Sequence, residues 1–556
     1  MFPTLCFRNH SRKFSTSLTR WINCNSCGIE LQKKDPCQVG YYQEPKTAKR
    51  PHIKSIEDLK YLLFSQDIQK LKEDEKEVIE SKGANNSHLP HNPLFCKRCV
   101  DALHQNKYEM KDFQRMSFFD VVENIPRESN VLHCVPFPEF PFHLDKGILS
   151  NKHYTTSLLL TKSDQLIRHK STLNKDVQHF LKDFTHHYMS VKTNKAIAVS
   201  ALKNWNMDVL YTNLKKNSYF LGATNAGKST LINSLLRKYL GYKVNIDKKG
   251  NIIHPEFPPD LQKNIKKFQK LQSAGVSYIP NMTRKAQPYQ IGDKLIFDLP
   301  GYTANVNEVL LEDIIEKDWL ELIRKTELFT DRYVKSQSYK SIKGSKNGAC
   351  YTLGGIFFIV PPEGTINQIV KYIPGKPSTF RNVSKALEVF SNVHSGNGTE
   401  TKHPWEQYCG ITQDFCDINK FERHVLPPFQ GSIEIVLKDI GYILLRTTGT
   451  YEFKGLHELW VPKGIEVCIR KPLLQLIKNN YSTNDSKVSY LSSRNDPIVS
   501  KTYVMDHDEK DTLLKMQEIF KSSSEKGKVS RKYIHEDPKI LLNSENPKCL
   551  FWYFDF

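Results

Sequence analysis

The sequence predicts a multidomain α/β protein, and three observations predict it. Two Cys-x-x-Cys pairs stand near the N-terminus, a short β-like run followed by a glycine loop and an apolar-striped helix stands at the centre, and β-rich runs fill the stretch from Gly354 to Lys471. At 556 residues the chain can hold three or four domains, and an apolar content of 39% supplies buried cores. Its apolar runs, such as Ile356-Phe-Phe-Ile-Val360, fall far short of the roughly 20 residues that span a bilayer. No integral membrane segment is therefore expected. A formal charge of +20 attracts polyanions, and nucleic acid is the partner for which such a field gives affinity without sequence specificity.

Residues 1–29 carry Arg8, Arg12, Lys13 and Arg20 among several Ser and Thr, with no acid before Glu30. This is the composition of a mitochondrial presequence. The reading is a transit peptide over 1–20, with Arg12-Lys-Phe14-Ser15 resembling a processing site and the mature chain in the mitochondrial matrix.

A zinc-finger-like region with an insertion is expected over 21–110. Cys24-Asn-Ser-Cys27 and Cys96-Lys-Arg-Cys99 can each place two thiolates on one tetrahedral ion, as a closed structural Zn²⁺ site requires. Gly28 suits the tight turn after the first pair, and Lys97 and Arg98 offset the charge of four thiolates. Between the pairs, residues 56–82 read as a charged, helix-prone insertion.

The central run Gly222-Ala-Thr-Asn-Ala-Gly-Lys-Ser229 follows the β-like Ser218-Tyr-Phe-Leu221 and precedes a helix with Leu231, Ile232, Leu235 and Leu236 on one face. Strand, loop and helix in that order make a phosphate loop. Its amides would cradle phosphates, Lys228 would neutralise the β and γ oxygens, and the Ser229 hydroxyl would ligate Mg²⁺. Gly227 and Thr230 complete the loop's share of the nucleotide-binding set. Asp298-Leu-Pro-Gly301 ends the run Lys294-Leu-Ile-Phe297, so Asp298 faces the metal side and Gly301 brings its amide to the γ-phosphate. Thr283 is the candidate switch threonine that completes the Mg²⁺ shell. Lys228, Thr283, Asp298 and Gly301 form the expected catalytic set.

Guanine selection rests on Thr161-Lys-Ser-Asp164 and Ser200-Ala201. Asp164 can accept from N1–H and the 2-amino group, Lys162 would lie along the base, and the Ala201 amide would donate to O6. Thr161 stands where Asn is commoner. This pair precedes the phosphate loop, whereas in ordinary G domains it follows, so residues 111–335 read as a circularly permuted P-loop GTPase domain that uses GTP and Mg²⁺. Tyr302 occupies the position of the water-orienting Gln, which predicts slow intrinsic hydrolysis. Asn225 is where some GTPases coordinate K⁺, and that ion could replace an arginine finger.

With Cys24-Asn-Ser-Cys-Gly-Ile-Glu-Leu-Gln32, Cys96-Lys-Arg-Cys99, these permuted motifs, Tyr351-Thr-Leu-Gly-Gly355 and Trp460-Val-Pro-Lys-Gly-Ile-Glu-Val-Cys-Ile-Arg-Lys-Pro472, the chain resembles the YqeH-type circularly permuted GTPases over most of residues 24–475. The resemblance implies a zinc finger, a permuted G domain and a C-terminal domain. It also implies a hydrophobic residue in place of the catalytic Gln, use of potassium, and action in small-subunit ribosome biogenesis and rRNA processing. The expected partner is mitochondrial small-subunit rRNA or the pre-ribosome. Seven lysines between Leu240 and Lys270 would form an RNA-contacting insertion beside the switch. Two rival readings remain: an RNA-binding scaffold with vestigial hydrolysis, and a peripheral role at the inner membrane in lipid or protein homeostasis, for which no residue argues.

A C-terminal β-rich α+β domain is expected over 336–480. Its run Gly464-Ile-Glu-Val-Cys-Ile-Arg470 alternates, which predicts a strand with one covered face. Residues 481–556 turn Ser-, Asn- and Lys-rich and read as a polar, partly disordered tail closing on Phe551-Trp-Tyr-Phe554.

Overall fold

The computed structural model describes, isolated positions apart, residues 23–43, 94–239, 245–246, 252–253, 274–303, 309–325, 340–395, 409–448, 455–481, 490–491, 498–505 and a few positions from 511 to 518. The expected presequence, the insertion at 56–82, most of the lysine-rich 240–270 stretch and the terminal aromatic cluster lie outside the described residues.

The first sheet is built from β1 (Asn130–Pro136), β2 (Thr155–Thr161), β3 (Ala196–Ala198), β4 (Asn217–Gly222), β7 (Gln287–Ile291) and β8 (Lys294–Asp298), in the order β3-β2-β1-β4-β8-β7. Between β4 and β7 the two-residue strands β5 (Asn245–Ile246) and β6 (Ile252–Ile253) pair as a small hairpin. The first five strands of the sheet run parallel, and β7 pairs antiparallel with β8. Every residue of β1 is buried, as expected of a strand with helices on both faces. On one face lie the helices Met207–Asn213 and Lys228–Tyr239, which bury Leu210, Leu231, Ile232, Leu235 and Leu236 against Leu132 and Phe220.

Beyond residue 340 the chain forms two six-stranded sheets. One has the order β13-β10-β11-β17-β14-β20 and the other β19-β18-β15-β16-β12-β9. Their strands are β9 (Lys340–Lys343), β10 (Cys350–Leu353), β11 (Phe358–Val360), β12 (Ile366–Lys371), β13 (Pro377–Phe380), β14 (Phe421–Val425), β15 (Ser432–Leu437), β16 (Gly441–Thr448), β17 (Glu458–Pro462), β18 (Val467–Arg470), β19 (Val499–Lys501) and β20 (Tyr503–Met505). Side chains from both sheets, including Phe358 and Leu459 from one and Ile433 and Ile469 from the other, share a single core, which makes the unit a sandwich. The protein is thus a multidomain α/β molecule with several sheets.

Two differences from the sequence reading concern this unit. Strand β18 is buried at all four positions rather than on one face. Its odd residues enter the sandwich core, while Cys468 joins Val436, Leu473 and Ile477 in an apolar layer with Phe137, Phe180 and Phe184 of the parallel-sheet unit. Strands β19 and β20 lie within the stretch read as a polar tail. They close one edge of each sheet, and Thr502 between them donates to or accepts from His424 Nδ1 at 2.7 Å. Polar composition misleads there because Ser500 and Thr502 are buried with partners that satisfy them, the Lys501 carbonyl and the His424 ring.

The two units are joined through Arg470. Its side chain is fully buried, pairs with Glu434 at 2.6 Å, and donates to the carbonyls of Pro138, at 2.9 Å, and Phe140. A second junction sets His143 between Glu139, at 3.1 Å, and Asp439, at 3.2 Å.

Candidate functional site

The carboxyl ends of β3, β2, β4 and β8 share one edge of the parallel sheet, and the sequence-predicted residues other than the cysteines and Thr283 follow these four ends. Chain order runs outward from β1 through β2 to β3, then returns to β4 on the other side of β1. In open α/β sheets such a reversal leaves a crevice at the strand ends where ligands bind.

The loop after β4 is shaped by local sterics. A Cβ at Gly222 would lie 2.5 Å from the Cys134 carbonyl oxygen, so only glycine fits beside β1. Asn225 and Gly227 take left-handed conformations, φ 56° and 82°, which fold the loop over the start of the helix Lys228–Tyr239. The Lys228 ammonium donates to the Gly222 and Ala223 carbonyls, both at 2.8 Å, and burial lowers its pKa. Ser229 donates its hydroxyl to Asp298 Oδ2 at 2.6 Å. Asp298 is 1% exposed, and burial raises its carboxyl to about 6 against the opposing pull of Ser229 and Lys228. Its second oxygen, Oδ1, is buried with no hydrogen-bond partner among the described residues. An orphaned carboxylate oxygen beside a hydroxyl is a donor set that suits a hard divalent cation such as Mg²⁺.

Gly301 closes against the loop, where a Cβ would sit 2.7 Å from Thr224 Cα. Tyr302 is buried and packs edge-on to Phe118 at 5.2 Å, within an apolar cluster that includes Val121 and Leu299. Thr161 donates its hydroxyl to the Ala226 carbonyl at 2.6 Å, tying the end of β2 to the loop. Lys162 is left-handed, φ 53°, and runs past Gly227. The Ser163 amide donates to Val199 at 3.1 Å, holding the turn of Asp164 next to Ser200 and Ala201. Ser200 accepts from the Lys203 amide at 3.0 Å, and Ala201 packs half-buried against the Ile197 cluster.

A cavity of about 640 Å³ opens over this edge, lined by residues 224–230, Lys162, Gly301 and the stretch that holds Asn281 and Thr283. Asn225, Gly227, Lys228, Ser229 and Thr230 therefore face one space together with Thr283. Thr161, Asp164, Ser200, Ala201, Gly222 and Asp298 stand behind its lining or beside it. Leu103, Met282 and Arg324 also line the cavity, and the sequence reading missed them. None belongs to a spaced motif, and Arg324 comes from the helix Lys317–Lys325 that packs with the sandwich.

Cys24, Cys27, Cys96 and Cys99 are all buried, with their sulfur atoms within 4.8 Å of one another. Cys27 and Cys96 are 3.8 Å apart, the separation that two sulfurs at about 2.3 Å from a tetrahedral zinc would have. The cluster is compatible with structural zinc. Gly28 turns the knuckle at φ 75°. The Arg98 guanidinium lies 3.9 Å from Cys99 Sγ, and although burial opposes its charge, the neighbouring thiols hold its pKa up. This cluster is attached to the cavity wall. The amides of Arg284 and Lys285 donate to the Cys27 carbonyl at 2.9 and 3.3 Å, Cys99 Sγ meets Met282 Sδ at 3.8 Å, and Asn281 donates to the Phe113 carbonyl at 3.1 Å.

With the site described, its relatives can be compared. The family model described as Genetic interactor of prohibitins 3 N-terminal domain matches residues 23–113, and the one described as Genetic interactor of prohibitins 3, C-terminal domain matches residues 337–544. The protein named Genetic interactor of prohibitins 3, mitochondrial, from Zygosaccharomyces rouxii is 49% identical over 559 residues, covering 100% of this chain and 97% of the relative. The chain belongs to the genetic interactor of prohibitins 3 family. Relatives of the same name from Vanderwaltozyma polyspora, over 99% of this chain and 98% of theirs, and Saccharomyces cerevisiae, over 98% of each, are both 46% identical. The family's N-terminal model takes in all four cysteines and its C-terminal model the double sheet. The glycine loop lies in the stretch between the two, and its cavity takes Leu103 from the first.

Proposed function

We propose that this chain is a mitochondrial GTP-binding protein, with slow GTP hydrolysis, that acts in assembly of the mitochondrial small ribosomal subunit and processing of its rRNA. The observation that carries the reading is the 2.6 Å bond between Ser229 and Asp298 beneath a loop whose lysine, Lys228, is buried at the helix start. Mg²⁺, when bound with GTP, would neutralise charge on the β and γ oxygens. Ser229 and Asp298 would hold it, with Thr283 added from the cavity wall. Lys228 would exchange its two loop carbonyls for phosphate oxygens, and the loop amides would bind the rest. Thr161 supports the loop through Ala226, and Asp164 would accept from guanine.

A G domain cut and rejoined after its second switch supports the same reading, since the strand order β7-β8-β4-β1-β2-β3 runs from the switch strands through the phosphate loop to the base-reading turns. The division into a zinc region over 21–110, a GTPase domain over 111–335 and a C-terminal domain from 336 belongs to this proposal, with β19 and β20 extending the last to Met505. So do the matrix location and K⁺ at Asn225. The relatives' printed names support mitochondrial residence.

Full-length protein titrated with a fluorescent GTP analogue at millimolar Mg²⁺ tests the site. Saturable binding displaced by GDP and not by ATP is expected; a folded protein that retains no guanine nucleotide sinks the reading. Crosslinking in mitochondria should then recover small-subunit rRNA.

The buried ring of Tyr302 favours a second reading, an RNA-binding scaffold with vestigial hydrolysis. A Lys228→Ala chain that still supports small-subunit rRNA accumulation would select it. The prohibitins in the relatives' name motivate a third, a peripheral role in inner-membrane homeostasis, which carbonate extraction tests. Among the described residues no helix is long and apolar enough to cross a membrane.

A further inference from the structure

We infer that Arg324 is a cation which the C-terminal sandwich inserts into the phosphate cavity, where it stabilises charge on the γ-phosphate during hydrolysis and makes turnover depend on the position of that unit. The inference rests on the nucleotide reading above and adds to it a residue from outside the G domain.

Three observations converge. Among the described residues lining the cavity, the cations are Lys162, Lys228 and Arg324, and Arg324 alone comes from beyond β8. Its side chain is 10% exposed and pairs with Glu312, equally buried, at 2.8 Å. Glu312 thus holds the guanidinium of a residue that lines the cavity. Arg324, Thr224, Asn225 and Asn281 also line a smaller crevice of about 80 Å³ that reaches Lys438, Asp439 and Glu466 of the sandwich, so Arg324 borders both spaces.

The helix carrying Arg324 is keyed to the sandwich. Cβ atoms at Gly354, Gly375 and Gly410 would lie 2.5–2.9 Å from the Trp319 ring, so these glycines form a slot that only this close packing explains. A shift of the sandwich therefore carries the helix, and Arg324 with it.

The cavity needs such a charge. Tyr302 faces an apolar cluster, so the position that often orients water offers no group to the cavity. In the reaction a water oxygen bonds to the γ-phosphorus while the bond to the β–γ bridging oxygen breaks, its electron pair leaving on GDP. The water proton ends on inorganic phosphate. Arg324 exchanges no proton; it meets charge that grows on the γ and bridging oxygens, a role for which a preorganised cation is effective.

The test uses the full chain, mant-GDP with and without aluminium fluoride, and single-turnover GTP hydrolysis. Aluminium fluoride should tighten mant-GDP on the unaltered chain about tenfold or more. Arg324→Met, which keeps the aliphatic stem, should abolish that tightening and slow hydrolysis about a hundredfold while changing mant-GDP affinity less than about threefold. Arg324→Lys, which keeps the charge in case the Met variant misfolds, should retain part of both. Equal tightening in the Met or Lys variant and the unaltered chain, or none in an unaltered chain that binds mant-GDP, would overturn the inference alone. Failure of the unaltered chain to bind mant-GDP would overturn the nucleotide reading as well.

Discussion

The backbone amide of Arg284 donates to the carbonyl of Cys27 at 2.9 Å, so the residue that follows Thr283 hangs from the first cysteine knuckle. Met282 on the other side of Thr283 touches Cys99. The cavity wall and the four-cysteine cluster are one packed unit, with Ile279 and Met282 sharing the apolar cluster of the thiols.

Metal removal should therefore be felt in the cavity. Stripping the protein with a strong chelator, or substituting Cys99→Ser, is expected to weaken Mg²⁺·GTP binding about tenfold, or about 1.4 kcal/mol. Amide exchange across residues 279–285 should accelerate in the same samples. Zinc content by atomic absorption, exchange and nucleotide titration check the chain of cause; unchanged exchange after complete metal loss would contradict it.

Lys228→Ala should remove guanine-nucleotide binding while leaving the fold intact, since among the described residues its ammonium bonds the carbonyls of Gly222 and Ala223. Ser229→Ala should instead leave weak binding that no longer responds to Mg²⁺, because Asp298 loses its hydroxyl partner. Titration at zero and 5 mM Mg²⁺, a concentration chosen as roughly saturating for such sites, separates the two variants. Indistinguishable behaviour would argue against the assigned roles.

Arg470→Ala should destabilise the chain by about 3–5 kcal/mol, because it leaves Glu434 charged and buried and orphans the carbonyls of Pro138 and Phe140. Replacing both partners, as Arg470→Met with Glu434→Leu, should recover much of the loss. Chemical denaturation measures both, and a double variant no better than the single one would show that the pair is not the cause.

The His143 junction should make stability depend on pH above neutrality. Burial alone would lower its pKa, but Asp439 and Glu139 outweigh it and raise the folded value to about 9. A folded pKa above the unfolded value of about 6.5 means the stabilisation is fully present below pH 6.5 and is lost as pH rises through 9. The loss should be about 2 kcal/mol, given that Asp439 keeps a third of its side chain exposed. His143→Gln should flatten the decline between pH 7 and 9; an unchanged slope would assign it elsewhere.

Local chemistry was legible in the order of residues. The spacing of Gly222, Gly227 and Lys228, the buried stripe from Leu231 to Leu236, and the two cysteine pairs are short-range patterns whose meaning depends on spacing. The alternation of Glu466, Cys468 and Arg470 was equally visible; Glu466 is exposed, but Cys468 and Arg470 are buried, because alternation marks an exposed face only where nothing covers that face. Glu434 and the carbonyls of Pro138 and Phe140 supply what Arg470 needs, and they are far from it in sequence.

The sequence by itself determined the central strand, loop and helix, the thiol set and the lysine at the helix start, since propensity, periodicity and spacing act over a few residues. Only the tertiary structure decided that Thr283 is braced by the cysteine knuckle, that Arg324 reaches the cavity from another unit, and that β18 has no open face. These relations join residues separated by up to hundreds of positions, and the close packing of apolar surface that brings them together leaves no periodic trace in the chain.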